Sequence, residues 1–435
     1  MTTRRTLLTG VGTIVATSLA GCASLRGTGD QASKRIDPGE IGAVEPVTVP
    51  VSTLPVAIPP SLVERHRTRA ADLLGSVPTD PAIPNEVVVD RLQNDRERVA
   101  KRLADGSDAS DQVDRLDDWR HVRGEAANLS GAYRAATGTD DGPAVDERRR
   151  TIRGGLGAFA ADVDYRAADP VEAVVVHATL EELRDTAERL TRPIPPYPQS
   201  PEAAVEQAGD AVERVETAAA SLADARGIRE AYLGDRPSVT SQWSTLADAG
   251  RQVEVAADIA RRPLERYRTS DPGDVFDRDV RGTATGQLFE IAARRIRPPA
   301  LDAGDLRRDG EYARALLDSG RSLAAIAALR SVVDTIESGG GVESVTAESV
   351  TTAAATARQA IRSLGDGPHP HLSVAIASPA VANYRSGRRH LEESYFDAHD
   401  AWVAFRYATL LARAASQAAD YVAARLAEQA APSAQ

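Results

Sequence analysis

The residues whose chemistry stands out lie between Gly387 and Asp400, reading Gly-Arg-Arg-His-Leu-Glu-Glu-Ser-Tyr-Phe-Asp-Ala-His-Asp. On a helix His390, Glu393, Asp397 and Asp400 share one face, and Glu392, Tyr395, His399 and Trp402 the adjoining one. Imidazole and carboxylate groups a turn apart are a donor set for a divalent metal. A closed metal shell needs at least three convergent protein ligands. One helix presents two, and no other segment offers an obvious partner motif. The expectation is therefore a hydrated acidic face with no bound cofactor. The alternative is a divalent metal held by His390, Glu393, Asp397, His399 and Asp400, in a metal-binding protein or hydrolase outside the cytoplasm.

Other candidates are weaker. His369-Pro370-His371 reads as a turn, and His177, amid Val174-Val175-Val176 and four residues before Glu181, reads as a hydrogen-bonded core histidine. Trp119, Trp243 and Trp402 fall within helix patterns as packing residues. The Asn128-Leu129-Ser130 sequon sits in a helical stretch, which disfavours a glycan there. There is no His-Glu-x-x-His, Gly-x-Ser-x-Gly, phosphate loop or cysteine pair, which favours a role without catalysis. The stretch from Gly387 to Glu393 loosely resembles the Gly-x-His-x-x-Glu pattern of imelysin-like surface lipoproteins, which are helical and linked to metal acquisition. Two residues rather than one separate Gly387 from His390, so membership is not implied.

The leader decides where all of this resides. Arg4 and Arg5 precede an apolar stretch over 7–19, too short for the roughly 20 residues a membrane span needs. A charged start, a short apolar run and a small-residue exit describe an export signal. Thr3-Arg4-Arg5-Thr6-Leu7-Leu8 resembles the twin-arginine signal, which implies export of a folded chain by the twin-arginine translocase. Leu19-Ala20-Gly21-Cys22 resembles a lipobox, implying lipidation of Cys22, the single cysteine of the 435 residues. The mature protein is then expected on the extracytoplasmic face of the cell membrane, anchored by that cysteine.

The composition is 42% hydrophobic but only 4% aromatic, so the core must rely on close approach of small side chains. Net charge is -11, and because residues 1–21 carry Arg4 and Arg5 but no acid, the chain from Cys22 onward stands at -13. Lys34 and Lys101 are the only lysines. An acidic, lysine-poor chain resembles the proteins of salt-loving archaea. Nucleic acid is disfavoured as a partner, since phosphate binding needs clustered cations.

These features require an all-α body, either an irregular multi-helix bundle or a two-lobed one. A flexible tether is expected over 22–45, a Pro-rich extended strap over 46–60, and helical regions over 61–198 and 199–435. Helices are expected over 61–74, opened by a Ser61/Glu64 capping box, then 85–104, 110–137, 143–166 and 170–192. The prolines from Pro193 to Pro201 mark the best boundary. Helix restarts at Ser200-Pro201-Glu202, with a seam of Val205, Ala208, Val212, Val215, Ala219 and Leu222 that breaks at Arg226 and Arg229. Further helices are expected over 240–267, 280–296, 304–319, 321–337 and 346–364, with a last helix or helix pair over 379–427. The function this supports is a surface-anchored lipoprotein that binds or scaffolds, with an unidentified protein or small molecule as its partner.

Overall fold

A computed structural model of the protein describes residues 36, 38–139, 142–236, 238–269, 272–296, 299–341, 344–392 and 396–430. Arg4, Arg5, Cys22 and Glu393 lie outside them. The helices are α1 (Pro60–Gly75), α2 (Glu86–Asp105), α3 (Gln112–Ala136), α4 (Gly142–Asp162), α5 (Pro170–Leu190), α6 (Val205–Gly234), α7 (Trp243–Arg261), α8 (Glu265–Thr269), α9 (Pro272–Val275), α10 (Ala284–Arg295), α11 (Pro299–Arg308), α12 (Tyr312–Glu337), α13 (Ala347–Arg362), α14 (Pro370–Ile376), α15 (Ser378–Glu392) and α16 (Ala398–Ala430). Among the described residues the sheet content is one antiparallel pair, Arg166–Ala167 against Thr240–Ser241. The protein is all-α.

Polar caps start several of the helices. Asn85, Asp111, Asp169 and Thr283 accept backbone N–H groups in the first turns of α2, α3, α5 and α10. The capping box expected at Ser61 is absent: Pro59 precedes α1 without a side-chain cap, and Glu64 interacts with Arg67 and Thr68 instead. A reciprocal box does form further on, between Thr346 and Ser349 at the head of α13.

One seam runs further than expected, and one expected interruption is not there. The apolar stripe of α6 continues past Arg226 and Arg229 through the buried Ile228 and Tyr232. α12 continues through Ser319 and Gly320, where the absent side chain lets α14 approach: a Cβ on Gly320 would lie 2.9 Å from Ile376 Cδ1. The α3–α6 crossing shows the small-residue packing that the low aromatic content demands. A Cβ on Gly131 would meet Val212 at 2.8 Å, and one on Gly209 would meet the Asn128 carbonyl oxygen at 2.9 Å.

The strap is extended and buries Val47, Leu54, Val56 and Ile58. Its backbone is held by side chains from distant helices. Asp111 accepts from Thr53 N at 2.9 Å, and Gln112 both accepts from Ile58 N and donates to Val56 O. Arg236 donates to Pro55 O, Tyr384 to Glu45 O, and His371 Nδ1 meets Ser52 O at 2.7 Å.

The proline cluster after α5 includes a cis Ile194–Pro195 bond and links α5 to α6, which pack side by side. α5 also packs on α7, α12, α14 and α16, so residues 37–435 form one compact unit. No helix among the described residues is long and apolar enough to cross a membrane.

Candidate functional site

The site best equipped to engage a ligand is a recess of about 450 Å³ between α10, α12, α13 and α16. That volume lies within the usual small-molecule range. Its walls follow from helical spacing. Trp402, Arg406 and Leu410 recur every four residues along one face of α16, and Ser349, Thr352, Ala353 and Thr356 along one face of α13. Thr285 and Leu288 of α10, with Val332 and Thr335 of α12, complete the lining.

Arg406 is the unusual group. Trp402 beside it is 4% exposed, and the guanidinium carbon sits 5.8 Å from the indole centroid. No carboxylate pairs with Arg406 among the described residues, and its Nε is buried without a hydrogen-bond partner. Burial pulls its pKa below the ordinary arginine value, and the charge of Arg413 adds to the effect. An arginine stays protonated even so, leaving a half-buried cation with no ion-pair partner among the described residues.

Three of the six hydroxyl groups in the described lining are committed as donors. Thr335 Oγ1 donates to Ser331 O at 2.7 Å, Thr356 Oγ1 to Thr352 O at 2.8 Å, and Ser349 Oγ to Thr346 O at 2.8 Å. Each oxygen keeps lone pairs that can still accept. The described lining contains Glu348 but no imidazole or thiol.

Two buried polar clusters lie elsewhere, and both tie helices together. In the first, His66 Nε2 meets Asp224 Oδ1 at 2.9 Å, Arg120 donates to the other Asp224 oxygen, and Arg69, Arg123 and Arg148 converge on Glu216. Burial alone would raise the Glu216 carboxyl, but the Arg69 hydrogen bond and the neighbouring guanidinium charges outweigh it and hold the pKa at about 2. His66 is 1% exposed, and its Nδ1 lies 3.4 Å from Arg123 Nη1, so neither ring nitrogen is available as a base. In the second cluster, the Glu181 carboxyl receives the Ala313 and Arg314 N–H groups at the head of α12 and lies 2.6 Å from the Tyr165 hydroxyl. Burial raises its pKa to about 7.

The residues singled out by sequence are placed differently. α15 ends at Glu392 and α16 begins at Ala398, so His390 does not share a continuous helical face with Asp397 and Asp400. Asp397 caps α16 by accepting from the His399 and Asp400 N–H groups, and Asp400 accepts from Gln287. No group of three or more His, Cys, Asp or Glu side chains among the described residues could hold a metal ion. His177 is a core histidine whose Nε2 meets Arg166 O at 3.2 Å; it does not pair with Glu181. His371 sits in the first turn of α14 and holds the strap. Trp243 is 50% exposed rather than packed inside. Asn128 Nδ2 donates to Asp210 and Glu213 across the α3–α6 contact.

Sequence reasoning passed over Arg406. The signal was there: Ala401 to Ala419 carries Arg406 and Arg413 and no acid, in a chain of net charge -11.

Comparison with known families divides the chain where α6 gives way to α7. Residues 61–238 match a family model described as a domain of unknown function (DUF8262), and residues 243–435 match a second, also of unknown function (DUF8264). No curated protein and no solved structure matches. The recess lies wholly within the second matched region.

Proposed function

We propose that the mature chain is a lipid-anchored binding protein on the extracytoplasmic face of the cell membrane, exported by the twin-arginine route and held through Cys22. It acts by taking up a ligand and performs no chemistry of its own. The observation that carries this reading is Arg406, an unpaired and partly desolvated cation in the wall of a small-molecule-sized recess. A buried charge normally has a partner, and none pairs with Arg406 among the described residues. The acidic, lysine-poor surface suits such a protein to concentrated salt, where carboxylates retain water.

The anchor and the recess are tested together. Cys22→Ser should release the protein from washed membranes, since stable attachment requires the acyl chains. A small-molecule extract of the native cells should raise the melting temperature of the mature chain, and Thr352→Trp, an exposed helix position turned into a plug, should abolish the shift. Undiminished membrane attachment of Cys22→Ser refutes the anchor. A thermal shift that survives the plug refutes the recess as the site.

A further inference from the structure

We infer that the recess binds a small organic monocarboxylate, with its carboxylate on Arg406 and its apolar body against Trp402 and Leu410. This rests on the binding reading above and names the ligand's class. A guanidinium matches a carboxylate in charge and in its two-pronged geometry. Arg406 is the one cation of the described lining, so a dianion would bring in a second negative charge that no cation there neutralises.

The hydrogen-bond inventory points the same way. A phosphate needs several donors, and three of the six lining hydroxyls, those of Thr335, Thr356 and Ser349, spend their protons on helix carbonyls. The head of α13 offers no anion site in compensation. Its Ser349 N–H is taken by the Thr346 hydroxyl, and the Thr346 N–H by Ser349. What these hydroxyls do offer is acceptor lone pairs, which select a ligand body bearing its own hydroxyl or N–H donors. The aromatic wall of Trp402, with Leu288, Val332 and Leu410, suits a flat apolar body. A hydroxylated aryl-substituted carboxylic acid combines a carboxylate, a flat apolar body and a hydroxyl donor in one molecule.

The test is calorimetric titration of the mature chain with phenylacetate, 4-hydroxyphenylacetate, the neutral 4-hydroxyphenylacetamide and phenyl phosphate. A weakly competing buffer anion keeps Arg406 accessible. Saturable one-to-one binding of the carboxylates is expected, tightest for the hydroxylated one. Replacing the carboxylate by the amide, or Arg406 by Gln, should weaken binding by ~10-fold or more, as loss of a charge-assisted hydrogen bond does. Arg406→Gln should also keep or raise the melting temperature, because it removes a cation that pairs with no acid among the described residues. A purely structural arginine would lower it. No saturable binding of either carboxylate overturns the inference, as do phenyl phosphate binding tighter than the carboxylates and unchanged affinity in Arg406→Gln. Equal binding of the amide, lost in Thr352→Trp, overturns the carboxylate assignment while leaving the recess as a binding site.

Discussion

Tyr165 joins the two perturbed titrating groups of the α5 core. Its hydroxyl lies 2.6 Å from Glu181 Oε1 and 2.5 Å from Gly310 O, and its ring centroid is 5.0 Å from that of His177. One phenol proton cannot serve two acceptors. A protonated Glu181 donates to the Tyr165 oxygen and leaves the phenol free to donate to Gly310, which fits a carboxyl raised by burial to about 7. Burial also depresses His177, to about 4, so its ring is neutral in the folded state. The two groups act in opposite senses. Between the ordinary 4.5 and about 7 the folded chain holds the Glu181 proton more tightly than the unfolded chain does, so this stabilisation is present at low pH and lost as pH rises. Between about 4 and the ordinary 6.5 the unfolded chain holds the His177 proton more tightly, so that contribution is lost as pH falls. Each is worth on the order of 3 kcal/mol over its full window, and where the windows overlap they offset. Glu181→Gln should therefore gain roughly 1–3 kcal/mol at pH 8 and become less stable on acidification. His177→Phe should instead lose stability as pH rises. Urea titrations of both variants from pH 4.5 to 8 check this, and profiles parallel to that of the parent contradict it.

At the scale of elements, the strap is held by groups that also start helices. Asp111 caps α3 through Val113 N at 2.7 Å and holds Thr53 N with its other oxygen at 2.9 Å. Asp169 caps α5 alone and is exposed. Asp169→Ala should cost about 1 kcal/mol, as loss of a cap does. Asp111→Ala also orphans a strap N–H and should cost about 2–4 kcal/mol. Equal losses in chemical denaturation would show that the strap contributes little. Proline and N-cap signals made this level legible from sequence, as the Asp169-Pro170 start and the non-helical stretch over 47–60 illustrate. Interruptions were harder to place. Gly320 looked like a break but serves a close helix approach, while the continuous face through 390–400 is cut where Asp397 caps α16. The recess was illegible for a different reason. Its lining comes from four helices between Thr285 and Leu410, and its Thr and Ser residues are individually ordinary. Only the lack of an acid paired with Arg406 among the described residues distinguishes it, and a missing partner emerges once the helices are packed.

Across the whole molecule, the two matched family regions meet at 239–242, yet bonds cross that junction repeatedly. Glu181 receives the head of α12, Arg184 pairs with Glu311 at 3.0 Å, and the strap contacts α3 on one side and α14 and α15 on the other. On this account the molecule is one helical body, tethered at its start, that presents a recess with an unsatisfied cation. The most direct test is native mass spectrometry of the mature chain taken gently from its own membranes, alongside Thr352→Trp prepared in the same way. The expected result is a single small-molecule adduct on the wild type that is absent from the plugged variant. A bare wild type, or an adduct retained by Thr352→Trp, would contradict the account.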